Sequence, residues 1–99
     1  MNDLDQWLAT LAAAGQTITY GQLARDLGWR MGQLTAALEA LMESDARMGR
    51  PLRASVCEAR LGNGLPARGF FDKAAELGFD VSDPAGFVAS QRRNLSDPV

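Results

Sequence analysis

The tightest constraint on this chain is a pair of helical stripes separated by only a few residues. Thr19 and Gln22 have the spacing of a capping box, in which hydroxyl and amide each satisfy an orphan backbone N–H. Leu23, Ala24 and Leu27 then give one buried face over about two turns, and Gly28 suits the left-handed position that ends such a helix. Leu34, Ala37, Leu38, Leu41 and Met42 form the apolar stripe of a longer helix from about Arg30 to Ser44. A short glycine-containing turn around Gly28 and Trp29 joins the two, which is the spacing of a helix-turn-helix.

The flanking segments fit around that unit. Leu4, Trp7, Leu8 and Leu11 recur at helical spacing behind Asn2 or Asp3, and Gly15 supplies a stop, so a first helix is expected from about Asp3 to Ala14. Thr17, Ile18 and Thr19 suit a short extended segment. After Pro51, Leu52, Ala54 and Val56 alternate with Arg53, Ser55 and Cys57, the period of a half-exposed strand. Asn63-Gly64 is a hairpin signal, because both residues tolerate positive φ, and Pro66 confines a returning strand to an edge. Phe70, Phe71, Ala74 and Leu77 mark a further helix ending at Gly78. Asp83 caps a last one with Pro84 in its first turn and Phe87, Val88, Gln91 and Leu95 on its inner side. Arg92 and Arg93 near its end are accounted for by the helix dipole. The expected architecture is mainly α with a small β-hairpin: a winged helix-turn-helix plus two C-terminal helices. It forms a single winged-helix-like domain over 1–99, with a core over 3–77 and a helical annex over 78–99.

Composition narrows the chemistry. The 99 residues include no histidine and one cysteine, which removes Ser-His and Cys-His nucleophiles and leaves no residue set for a zinc site. No cofactor and no metal are expected, and the protein is expected not to be an enzyme. Cys57 cannot pair within the chain, no secretory leader is recognisable and no apolar run approaches a membrane span, so the expected location is cytoplasmic. A reactive thiol needs a depressed pKa, for which only arginines are available, so Cys57 is read as an unreactive strand residue.

Charge is unevenly placed. Arg47, Arg50, Arg53, Arg60 and Arg68 face one acid, Glu58, between 47 and 68, a local charge of +4 that leaves -6 for the remainder of a chain of net charge -2. Guanidinium forks bind phosphate oxygens bidentately, so a basic hairpin is read as a wing that reaches double-stranded DNA. Thr19 and Tyr20 would contact phosphate at the helix start, Arg30 and Gln33 would approach bases, and Arg50, Arg53, Arg60, Asn63 and Arg68 would furnish the wing. The second candidate surface lies along the outer face of the third helix. Gly32, Ala36 and Ala40 form a smooth ridge flanked by Glu39 and Glu43, suited to a protein partner or a homodimer. Packing of that ridge against one of the last two helices is the simpler expectation.

The run Ile18-Thr19-Tyr20-Gly21-Gln22-Leu23-Ala24-Arg25-Asp26-Leu27-Gly28 resembles the opening of the DNA-binding domain of alkylguanine-DNA alkyltransferases and the catalytically dead alkyltransferase-like proteins. Pro51-Leu52, the strand ending at Val56-Cys57 and the glycine-rich turn before Gly69 are similar in order to that family's strand, cysteine and loop. The resemblance spans roughly Thr17 to Leu77. It implies a helix-turn-helix that binds DNA through the minor groove, with Tyr20 against a target phosphate. The family's arginine finger is replaced here by Gly32-Gln33-Leu34-Thr35-Ala36, and its Pro-Cys-His-Arg site by Val56-Cys57-Glu58-Ala59, so alkyl transfer is not implied. The chain is also similar to short bacterial and phage proteins sharing the Ile-Thr-Tyr-Gly opening and a Gly-Leu-Pro-x-x-Gly-Phe-Phe close, here Gly64 to Phe71.

Overall fold

A computed structural model describes residues 3–96. Five α-helices carry most of these residues: α1 (Asp3–Ala14), α2 (Tyr20–Leu27), α3 (Met31–Arg47), α4 (Arg68–Glu76) and α5 (Pro84–Ser96). Side-chain caps mark the starts of α2 and α5. Thr19 Oγ1 accepts the Gln22 N–H at 3.2 Å, and Gly28 adopts φ 71°, which lets its N–H close on the last turn of α2. The reciprocal half of the capping box is not made, because the Gln22 side chain donates to Asp26 at 2.8 Å and accepts from Arg25 at 3.0 Å. At α5 the Asp83 carboxylate accepts the Gly86 N–H at 3.2 Å and the Asp83 carbonyl accepts from Phe87.

The segment after Pro51 departs from the sequence expectation. Arg53–Val56 coils into one 3-10 turn, and extended structure is confined to β2 (Cys57–Glu58), which pairs in parallel with β1 (Ile18–Thr19) in the register Ile18 to Cys57 and Thr19 to Glu58. The physical reason is burial. Ala54, Ser55, Val56 and Cys57 are all buried, and the 3-10 turn packs against α1, α3 and α5 together. A segment with helices on every side has no neighbouring strand to take its ladder hydrogen bonds, so a coil that satisfies them locally wins. Ser55 N–H donates to Leu52 at 3.0 Å, and Arg53 N–H donates to the Asp45 carboxylate at 3.0 Å.

The expected β-hairpin is likewise replaced. Residues 59–65 close on themselves through Ala59 N–H to Leu65 O (2.8 Å), Gly62 N–H to Ala59 O (3.1 Å) and Leu65 N–H to Gly62 O (2.9 Å). Asn63 and Gly64 do adopt positive φ, 53° and 86°, yet no strand returns at Pro66. The next free donor, Ala67 N–H, goes to the Tyr20 hydroxyl at 3.1 Å instead of to a ladder.

The core is one cluster. Leu4, Leu8, Leu23, Leu34, Met42, Leu52, Cys57, Ala74 and Val88 are each almost wholly excluded from water. Phe70, Phe71, Phe79 and Phe87 join α4 to α5, with Phe70 and Phe71 edge to face at 5.2 Å and Phe79 and Phe87 at 5.5 Å. Among the described residues, no helix is long and apolar enough to cross a membrane.

Candidate functional site

The start of α2, the middle of α3, the 59–65 turn and the start of α4 enclose a cleft of about 860 Å³. Leu38, Met42, Ala54 and Phe70 give it apolar walls, and Thr19, Tyr20, Gln22, Arg25, Glu39 and Arg60 bring polar groups to it. Tyr20 is its strut. The phenol oxygen accepts the Ala67 N–H across 47 residues of chain, tying α2 to the N-cap of α4. Burial pushes the Tyr20 pKa up to about 12, against the smaller lowering effect of that hydrogen bond, so the phenol keeps its proton and can donate it. Thr19 spends its oxygen on the α2 cap, and its hydroxyl proton is likewise a donor.

The arginines expected to form one cluster divide into two groups. Arg60 lines the cleft and, among the described residues, makes no ion pair; Arg68 lies between the lining residues Ala67 and Gly69 and is 94% exposed, 3.8 Å from Asp72. Arg50 and Arg53 are elsewhere, bound to the chain's own Asp45. Arg53 donates from its backbone N–H, from Nε at 3.1 Å and from Nη2 at 2.9 Å to that fully buried carboxylate, and Arg50 adds Nη2 at 3.4 Å. The guanidinium of Arg53 therefore fastens the 3-10 turn to α3. Its position in the sequence gives no hint of this, but Asp45 does carry a signal. It stands three residues after Met42 and seven after Leu38, on the buried stripe of α3, where an acid needs a cation.

Of the remaining candidates Glu39 lines the cleft, and Arg30, Gln33, Asn63, Gly32, Ala36, Ala40 and Glu43 do not. Arg30 is the N-cap residue of α3 and Gln33 lies in its first turn, both exposed. Asn63 is exposed at its left-handed turn position. The ridge of Gly32, Ala36 and Ala40 is exposed as well, so neither α4 nor α5 covers it, contrary to the simpler expectation. Helix α4 packs on α3 beside Glu43 instead, where Lys73 Nζ lies 2.5 Å from the Glu43 carboxylate and holds that carboxyl below its usual range. Glu39 is exposed at the cleft.

Two residues gain roles that the sequence reading missed. Arg92 is part-buried rather than a simple partner for the α5 dipole. Its Nε donates to Ser55 O and its Nη2 to Gly64 O, each at 2.7 Å, pinning both the 3-10 turn and the 59–65 turn to α5. Gln91 accepts the Leu52 N–H at 2.8 Å. Cys57 is fully buried, and burial pushes its pKa up to about 12 even with the Arg92 charge nearby. A thiol so placed is protonated at neutral pH and closed to an electrophile from solvent. Among the described residues, no group of three His, Cys, Asp or Glu side chains is placed to hold a metal ion.

Comparison of the chain with protein-family models, with curated proteins and with solved structures found no match.

Proposed function

We propose that the protein is a small non-catalytic nucleic-acid-binding module built on the α2–α3 helix-turn-helix, with the closed 59–65 turn standing where a winged helix has its hairpin, engaging double-stranded DNA along the cleft between α2, α3 and α4. The observation that carries this reading is the convergence of Thr19, Tyr20, Arg25 and Arg60 on one open cleft, with Arg30 and Arg68 next in sequence to residues that line it. Hydroxyl protons and guanidinium forks are the donors that phosphate oxygens accept. Arg30, at the N-cap of α3, adjoins the lining residue Met31 and is the candidate for a base edge of a shallowly seated duplex, whereas Gln33 lies on the other side of α3 from Met31 and Thr35 and leaves the contact set. The resemblance to alkyltransferase-like proteins points the same way for the Thr19-Tyr20 step. Arg50 and Arg53 leave the contact set, because Asp45 occupies them. Alkyl transfer forms no part of the proposal, since Cys57 is neither ionised nor accessible.

Electrophoretic shift of duplex DNA across a salt series tests it. Affinity is expected to fall as salt rises, and Arg60→Ala with Arg68→Ala to weaken binding and to reduce the salt slope by about one for each phosphate contact removed. Both side chains are exposed, so thermal stability stays unchanged. Equal binding by wild type and double variant refutes the cleft as the interface.

A second reading draws on a separate observation, the uncovered ridge of Gly32, Ala36 and Ala40 with Glu39 and Glu43 beside it. It assigns that face to a protein partner or a second copy of the chain. Ala36→Glu then lowers the mass seen by light scattering, and an unchanged mass for an assembled wild type and variant removes the face from consideration.

A further inference from the structure

We infer that Leu61, at the tip of the turn that walls the cleft, is an apolar wedge that enters between stacked base pairs of a bound duplex. The inference rests on the DNA-binding reading above and adds to it a residue and a mode of engagement. Among the described residues Leu61 is 92% exposed, well beyond the other exposed large apolar side chains, Met48 at 65%, Met31 at 47% and Trp7 at 38%. The surrounding backbone holds it there. Three backbone hydrogen bonds close the turn, and a Cβ on Gly62 would sit 2.7 Å from Leu65 O and 3.1 Å from the Ala59 Cβ, so the chain is packed tightly against itself. Arg92 fastens Gly64 O to α5, which makes it a positioning residue for the tip. With the turn's backbone already fixed, insertion has only the rotamer freedom of one leucine left to restrict.

Charge selects what receives it. Between Glu58 and Asp72 the only ionisable side chains are Arg60 and Arg68, and Arg60 adjoins Leu61 directly. A protein pocket would have to place a carboxylate on its rim for Arg60, which makes no ion pair among the described residues. A lipid surface needs more apolar area than one leucine provides. A duplex supplies both receivers at the required closeness, phosphate for Arg60 and a base step for the leucine, and leucine is among the side chains that act as wedges, unstacking a step and kinking the helix.

The test uses a short DNA duplex with 2-aminopurine beside a central TA step, which unstacks readily, and donor and acceptor dyes at its ends. Wild type is expected to raise both the 2-aminopurine fluorescence and the energy transfer between the ends. Leu61→Ala is expected to bind roughly tenfold more weakly and, at saturation, to raise neither, while Leu61→Met restores both. All three proteins should melt together, because the side chain is exposed. Wild-type fluorescence and energy transfer from bound Leu61→Ala overturn the wedge while leaving duplex binding in place. A wild-type protein that binds no duplex overturns the underlying reading and the wedge with it. Binding to phosphatidylserine vesicles that Leu61→Ala abolishes, with no duplex signal, assigns the tip to a lipid surface and also overturns the proposal.

Discussion

Replacing Asp45 by alanine is the most informative perturbation of this molecule, because it separates a structural arginine from a binding one. The Asp45 carboxylate has no exposed surface and accepts the Arg53 N–H at 3.0 Å, Arg53 Nε at 3.1 Å, Arg53 Nη2 at 2.9 Å and Arg50 Nη2 at 3.4 Å. Breaking a fully buried pair costs about 3–5 kcal/mol. Here the cost is smaller, since the Arg53 side chain is 21% exposed and that of Arg50 49%, so water recovers part of both charges. The loss that remains is the Arg53 N–H, left without an acceptor, together with the guanidinium attraction. We expect about 2–3 kcal/mol from Asp45→Ala, a large part of the 5–15 kcal/mol typical of a domain of this kind. Urea and thermal unfolding measure it, with Tm expected to fall by roughly 10–20 °C. Asp45→Asn should lose about half as much, because its amide oxygen still accepts the Arg53 N–H. Arg53→Ala leaves the same buried carboxylate with only the backbone N–H of residue 53 and the longer Arg50 contact, so a double-mutant cycle should return a coupling above about 1 kcal/mol. A loss below about 0.5 kcal/mol for Asp45→Ala, or a coupling near zero, refutes the assignment of Arg53 to the scaffold.

Cys57 and Tyr20 make stability pH-dependent on the alkaline side. Their ordinary values are 9.0 and 10.0, and burial pushes each up to about 12, so between these limits the unfolded chain has released protons that the folded chain retains. Stability is then complete below pH 9 and declines as pH rises towards 12, and a urea midpoint constant or rising across that window contradicts the burial of both groups. At pH 8 iodoacetamide should leave native Cys57 unmodified and label it in urea, with rapid labelling of the native protein counting against the site geometry. Gly62→Ala forces its new methyl against Leu65 O and should cost about 1–2 kcal/mol, read by thermal melting; an unchanged Tm means the turn is looser than described. Arg92→Ala removes two hydrogen bonds to carbonyls and should cost about 2–3 kcal/mol, while hydrogen exchange at Ala59 and Leu65 speeds up; unaltered exchange detaches Arg92 from the 59–65 turn.

Within the candidate site, legibility followed range. The Thr19 cap, the Gly28 stop and the placement of Tyr20 at the head of α2 could be read directly, and they put Tyr20 at the cleft. The companion residues could not. Arg53 and Arg60 look alike in the sequence, seven positions apart in one basic stretch, yet one is bound to Asp45 and the other stands at the cleft. Arg92 looked like a helix-end cation and is an anchor for two turns far away in the chain. The alternation from Leu52 to Cys57 imitated a strand, although the burial of Ala54, Ser55, Val56 and Cys57 in succession is the pattern of a segment enclosed on all sides.

The sequence by itself marked the five helices and the Thr19, Gly28 and Asp83 caps, because apolar periodicity and side chain-to-backbone bonds within about four residues are local signals. The Asn2 alternative for the start of α1 lies outside the described residues, and α3 and α4 have no side-chain cap. Only the tertiary structure decided that Arg53–Val56 coils, that the hairpin gives way to a closed turn, and which arginines remain available to a ligand. Those outcomes turn on long-range competition for a limited set of partners. A buried carboxylate on α3 claims the nearest guanidinium, a phenol on α2 claims the N–H that a returning strand would have used, and neither competitor is visible until distant segments meet.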